Sequence, residues 1–86
     1  MFINKSSNGK NNICGENIAV FRKELKLSQR KLADMLQLGG LDIDKNAVQR
    51  IEAGKRFVTD IELAVISKIM KKSFEELLTP RTFHEC

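Results

Sequence analysis

The sequence predicts an all-α fold, a compact five-helix bundle, on three observations. Apolar residues recur every three or four positions in successive segments. Ser, Thr or Asp stands where most of those segments begin, as a helix cap would. No stretch alternates apolar and polar residues as a half-buried strand does, and no internal repeat occurs.

The elements follow in order. Residues 1–14, rich in Asn, Ser, Lys and Gly, read as a flexible N-terminal arm with little to offer a core. A first helix is expected from Glu16 to Lys26, with Ile18, Phe21 and Leu25 turned inward. Ser28 caps the second, whose buried stripe is Leu32, Ala33 and Leu36, and Gly39-Gly40 stops it. Asp44 caps the third, which ends at Gly54. Asp60, or Thr59 paired with Glu62 in a capping box, opens the fourth, where Leu63, Ile66 and Ile69 repeat. Ser73 and Glu76 form another box before a short fifth helix from Phe74 to Leu78, which Pro80 closes. The domain therefore spans residues 15–79, and residues 80–86 form a frayed tail.

Eighty-six residues suffice for one small domain. The net charge of +4 suits a polyanionic partner without requiring one. Its distribution says more. Residues 16–58 hold nine basic and six acidic side chains, whereas residues 59–86 hold four and five. Cys14 and Cys86 lack metal-ligand spacing and read as two reduced thiols. The opening segment has no apolar run, so neither a signal peptide nor a membrane span is expected, and a cytoplasmic location follows.

The third helix separates its faces. At about 100° per residue from Lys45, Gln49, Asn46 and Arg50 fall at about 40°, 100° and 140°. Ala47, Ile51 and Val48 fall at about 200°, 240° and 300°. One side thus holds Lys, Asn, Gln and Arg, which can hydrogen-bond to base edges in a major groove. The other side is small and apolar, as a helix lying on a core must be.

Leu27-Ser28-Gln29, Leu32-Ala33, Val48-x-x-Ile51-Glu52-x-Gly54-Lys55-Arg56 and Phe74-x-x-Leu77-Leu78 occur in that order. From Gly15 to Leu78 the chain resembles the phage-repressor and Cro-type helix-turn-helix domains of the xenobiotic-response-element family. The resemblance implies a lambda-repressor-like fold whose third helix enters the major groove. Carried onto matching positions, it places Lys45, Asn46 and Gln49 or Arg50 at base edges. It places Ser28 and Gln29, at the start of the second helix, and Lys55 and Arg56 against phosphates, where contacts position the protein without reading sequence. It also pairs Glu52 with Arg22 in a partly buried structural salt bridge. Two departures stand out. Gln37 to Ile43 is about five residues longer than the family's usual turn, so Leu38, Leu41 and Ile43 are expected to tuck beneath the motif. Phe57-Val58 replaces the proline common after Gly-Lys-Arg.

The implied function is a sequence-specific DNA-binding transcriptional regulator, in particular a repressor, acting on double-stranded DNA. One domain covers one half-site, so a homodimer on a palindromic operator is expected. An enzyme is not expected: His84 is the single histidine, and no nucleophilic, metal or phosphate-cradling pattern occurs. No catalytic residue, cofactor or metal is assigned, and no residues are left for a small-molecule ligand domain. The alternative is an antitoxin-like module with a protein partner held by Leu77, Leu78 and the tail past Pro80. Leu77 and Phe74 are expected in the core, leaving Leu78 more open.

Overall fold

The computed structural model describes residues 9–79. The first eight residues of the expected arm, and the tail with Pro80, His84 and Cys86, lie outside the described residues. Five helices follow in order: α1 (Gly15–Glu24), α2 (Gln29–Leu38), α3 (Lys45–Glu52), α4 (Asp60–Met70) and α5 (Phe74–Leu78). No strand occurs among the described residues.

Local chemistry explains where these helices begin. Ser28 and Asp44 accept the backbone N–H of Lys31 and Ala47 at 3.0 and 2.8 Å. Each satisfies one donor that an α-helix leaves open at its start. Thr59 with Glu62, and Ser73 with Glu76, form reciprocal capping boxes at α4 and α5. Of the two alternatives for α4, Thr59 is therefore the cap.

Four helices share one way of stopping. Past α1, α2, α3 and α4, the residues Lys26, Gly40, Gly54 and Lys71 have φ of 60°, 100°, 78° and 57°. After each, an N–H reaches back into the last turn: Leu27 to Arg22 O, Leu41 to Leu36 O, Lys55 to Arg50 O and Lys72 to Ser67 O. This is the Schellman closure. Glycine adopts the left-handed geometry freely, whereas the two lysines are strained there.

Ile18, Phe21, Leu32, Ala33, Leu36, Ile43, Val48, Ile51, Ile66, Met70 and Leu77 form the core, with Cys14 beneath the start of α1. Leu41, Leu63 and Ile69 pack partly against it. Three expected core positions differ. Leu25 is half exposed, because α1 ends at Glu24 and Lys26 turns the chain before the stripe completes another step. Leu38 is 90% exposed: it lies about 200° around α2 from buried Leu36, so of the three expected residues only Ile43 and Leu41 tuck beneath the long turn. Phe74 is 52% exposed, and only Leu77 of α5 is buried.

Asn17 is a buried polar residue in this apolar setting. Its carboxamide donates to Leu77 O at 2.7 Å and Thr79 O at 2.8 Å, so α1 caps the end of α5. A buried amide is tolerated when its hydrogen bonds are made.

Candidate nucleic-acid interface

Val48 and Ile51 pin α3 to the core, with Ala47 half-buried beside them. The opposite face is open: Lys45, Asn46, Gln49 and Arg50 are all exposed. Among the described residues, none of these four side chains forms an intramolecular hydrogen bond or ion pair. Their donors and acceptors are left to solvent or to a ligand.

Glu52, at the end of the same helix, is turned inward. Its Oε2 accepts Arg22 Nε at 2.6 Å, and its Oε1 accepts Arg22 Nη2 at 3.1 Å. The same Oε1 accepts Gln29 Nε2 at 3.0 Å. The two charged side chains are nearly buried, at 11% and 8% exposure. Arg22 Nη1 also donates to Leu27 O at 2.7 Å. One bidentate pair thus ties α1, the start of α2 and the end of α3 together.

Gln29 is therefore anchored to Glu52, and its carboxamide is held at the first turn of α2. Ser28 is exposed, but its hydroxyl already accepts the Lys31 N–H. Lys55 is exposed, one residue beyond the stop of α3. Arg56, expected against phosphate with Lys55, has another partner. It donates to both oxygens of Glu62 at 3.1 and 3.0 Å, and to Phe57 O at 3.2 Å. The capping-box acid of α4 lies within reach of the guanidinium and neutralises it. Arg56's hydrogen bonds in turn hold the Glu62 carboxyl below the usual carboxylate range.

Residues 18–77, more than two thirds of the chain, match the family model described as helix-turn-helix. The chain belongs to the Cro/C1-type helix-turn-helix family. No curated protein and no solved structure matches it individually. The Cro/C1-type family is one of DNA-binding transcription regulators. In this helix-turn-helix domain α2 and α3 are the paired helices, joined by the long turn through buried Ile43. Gln37 Nε2 donates to Ile43 O at 3.0 Å and closes that turn.

The sequence reading missed the contribution of Asn11 and Asn12, which it assigned to the arm. Asn12 Oδ1 accepts the Gly15 N–H at 2.9 Å, while its Nδ2 donates to Ile51 O and Arg56 O at 3.1 and 2.8 Å. The available signal was Asn12 standing three residues before Gly15, a spacing at which an Asn side chain can accept a backbone N–H. Cys14 is free and buried, and burial pushes its thiol up to about 11. Among the described residues no cluster of His, Cys, Asp or Glu could hold a metal ion. No described helix is long and apolar enough to cross a membrane.

Proposed function

We propose that the protein is a sequence-specific repressor that reads a palindromic operator as a homodimer, with α3 in the major groove of each half-site. The supporting observation is the open face of α3, where four hydrogen-bonding side chains are exposed and unpaired opposite a buried apolar face. Lys45 and Arg50 suit guanine O6 and N7; Asn46 and Gln49 suit adenine N6 and N7. Ser28, Gln29 and the first N–H groups of α2 sit where a phosphate is attracted by open donors and the helix dipole. Lys55 supplies a flanking cation, and Arg56, which is paired with Glu62, supplies a second where that pair gives way to a phosphate.

Selection of preferred duplexes from a random pool, followed by binding titrations, tests this reading. The expected product is an inverted repeat with half-sites about one helical turn apart, bound by two chains. Lys55 and Arg56 of two chains neutralise about four phosphates per dimer, which gives a slope of log K against log salt of about −4. A reporter whose promoter overlaps the selected site is expected to fall in output when the protein is present. A salt slope near zero, or no enriched sequence, contradicts the reading.

One observation favours a second reading, an antitoxin-like module that also holds a partner protein. Phe74 and Leu78, one turn apart on α5, are 52% and 40% exposed. Tight, DNA-independent binding to the product of an adjacent gene, lost in Phe74→Ser, would select it.

A further inference from the structure

We infer that Lys10–Gly15 is a positioning strap that sets the end of the DNA-reading helix and the loop bearing Lys55. The inference rests on the DNA-binding reading above, but its observations lie outside α3 and ahead of the segment matched by the family model.

Two consecutive asparagines take up four carbonyls between residues 51 and 56. Asn12 Nδ2 donates to Ile51 O and Arg56 O. The Asn11 backbone N–H donates to Gly54 O at 2.8 Å, and its Nδ2 to Lys55 O at 3.0 Å. Helix ends leave their last carbonyls without intrahelical partners, and a helix of eight residues has few internal bonds to resist fraying. Ile51 O, which also accepts the Gly54 N–H, gains a second donor from the strap, and the Gly54, Lys55 and Arg56 carbonyls beyond the helix find theirs there. Lys55 is consequently held by its N–H, on Arg50 O, and by its carbonyl, while its side chain stays in solvent. Residues 53–58 hold no proline to stiffen the loop, and these bonds restrain it.

The fit is close at both ends of the strap. A Cβ at Gly54 would lie 2.6 Å from Lys10 Cδ, so the Lys10 stem lies directly over this residue. Lys10 Nζ pairs with Glu16 at 2.9 Å. A Cβ at Gly15 would lie only 2.0 Å from Ile51 O, so the start of α1 rests against the end of α3. Asn12 therefore has two separable duties: its Oδ1 caps α1 through Gly15, and its Nδ2 holds α3 and the loop. Asn11 contributes less, because its Oδ1 is shielded from solvent and has no partner among the described residues.

Asn12→Asp separates those duties, because it keeps the acceptor and loses the donor. The full chain, Asn12→Asp and Asn12→Ala are compared by amide hydrogen exchange and by titration of the selected duplex and an unrelated one. The core variant Ile66→Val serves as a control for general destabilisation. Both Asn12 variants are expected to speed exchange at the Gly54 and Lys55 amides by about tenfold, with α4 amides little changed. They are expected to weaken the selected duplex by about tenfold, and the unrelated one by less. Ile66→Val is expected to keep the parent's discrimination. Should Asn12→Asp fail to fold, Asn11→Ala tests the Lys55 bond alone, with faster exchange expected around that residue. Parent-like exchange at Gly54 and Lys55, or parent-like discrimination in Asn12→Asp, overturns the inference. If the parent itself discriminates between no duplexes, the DNA reading fails and the exchange arm alone decides whether the strap holds the loop.

Discussion

Arg22 on α1 and Glu52 at the end of α3 form a bidentate, nearly buried ion pair, with Arg22 Nε 2.6 Å from Glu52 Oε2. It keeps the carboxylate at the end of α3 turned inward and neutralised, and the same carboxylate holds Gln29. Removing either partner strands a buried charge, at a cost of about 3–5 kcal/mol. Urea denaturation of Glu52→Ala and Arg22→Ala is expected to give losses of that size. A Glu52→Ala variant as stable as the parent would refute the structural assignment.

Gly15 tests the packing of α1 on α3. An added methyl collides with the Ile51 carbonyl, a backbone atom that cannot move independently. Gly15→Ala is expected to destabilise by about 1–3 kcal/mol, the usual cost of overpacking, despite alanine's better helix propensity. Thermal unfolding measures it. An unchanged or higher Tm would show that the two helices can separate at little cost.

Lys26 and Lys71 occupy left-handed positions that Gly40 and Gly54 fill elsewhere. Left-handed geometry costs an L-residue about 1–2 kcal/mol, partly offset by the greater freedom glycine has when unfolded. Lys26→Gly and Lys71→Gly are each expected to stabilise by about 0.5–1 kcal/mol in the same denaturation assay. Destabilisation by either would mean that the lysine side chain makes a compensating contact.

The Glu62 carboxyl is depressed in the folded state, first by Arg56's hydrogen bonds and then by the Thr59 backbone. A depressed folded pKa means that the unfolded chain binds the proton more readily. The associated stability is present above the unfolded carboxylate pKa of about 4.3 and is lost as pH falls through the lower folded value. Glu62→Gln and Arg56→Ala are each expected to flatten the acid limb of the stability curve. An acid limb identical to the parent's in both would exclude the pair as its source.

Four of the five helices were legible because their starts are written locally, whereas Cys14 before α1 offers no side-chain cap. Ser28, Asp44, Thr59 and Ser73 cap through spacings of three residues, and the stripe Leu32, Ala33, Leu36 is periodic. The polar face of α3 was legible for the same reason, since seven residues at helical pitch define it. What sequence could not supply was contact at long separation. Asn12 reaches Ile51 and Arg56, and Asn17 reaches Leu77, across about forty and sixty residues. Helical periodicity carries no information about such partners. The Arg56–Glu62 pair was not legible for a related reason: Glu62 reads as the capping-box partner of Thr59, and nothing in the spacing shows that Arg56 also reaches it.

The central claim is that the open face of α3 reads bases, and the most direct measurement is discrimination at single base pairs. The parent, Asn46→Ala and Lys55→Ala are titrated against the selected duplex and against variants of it changed one base pair at a time. Asn46→Ala is expected to lose about 1–3 kcal/mol of discrimination at one base pair in each half-site and to keep it elsewhere. Lys55→Ala is expected to weaken every duplex alike and to reduce the salt slope by about 2, since each of the two chains loses one phosphate contact. Equal loss at all positions in Asn46→Ala, or no loss at any, would contradict the account.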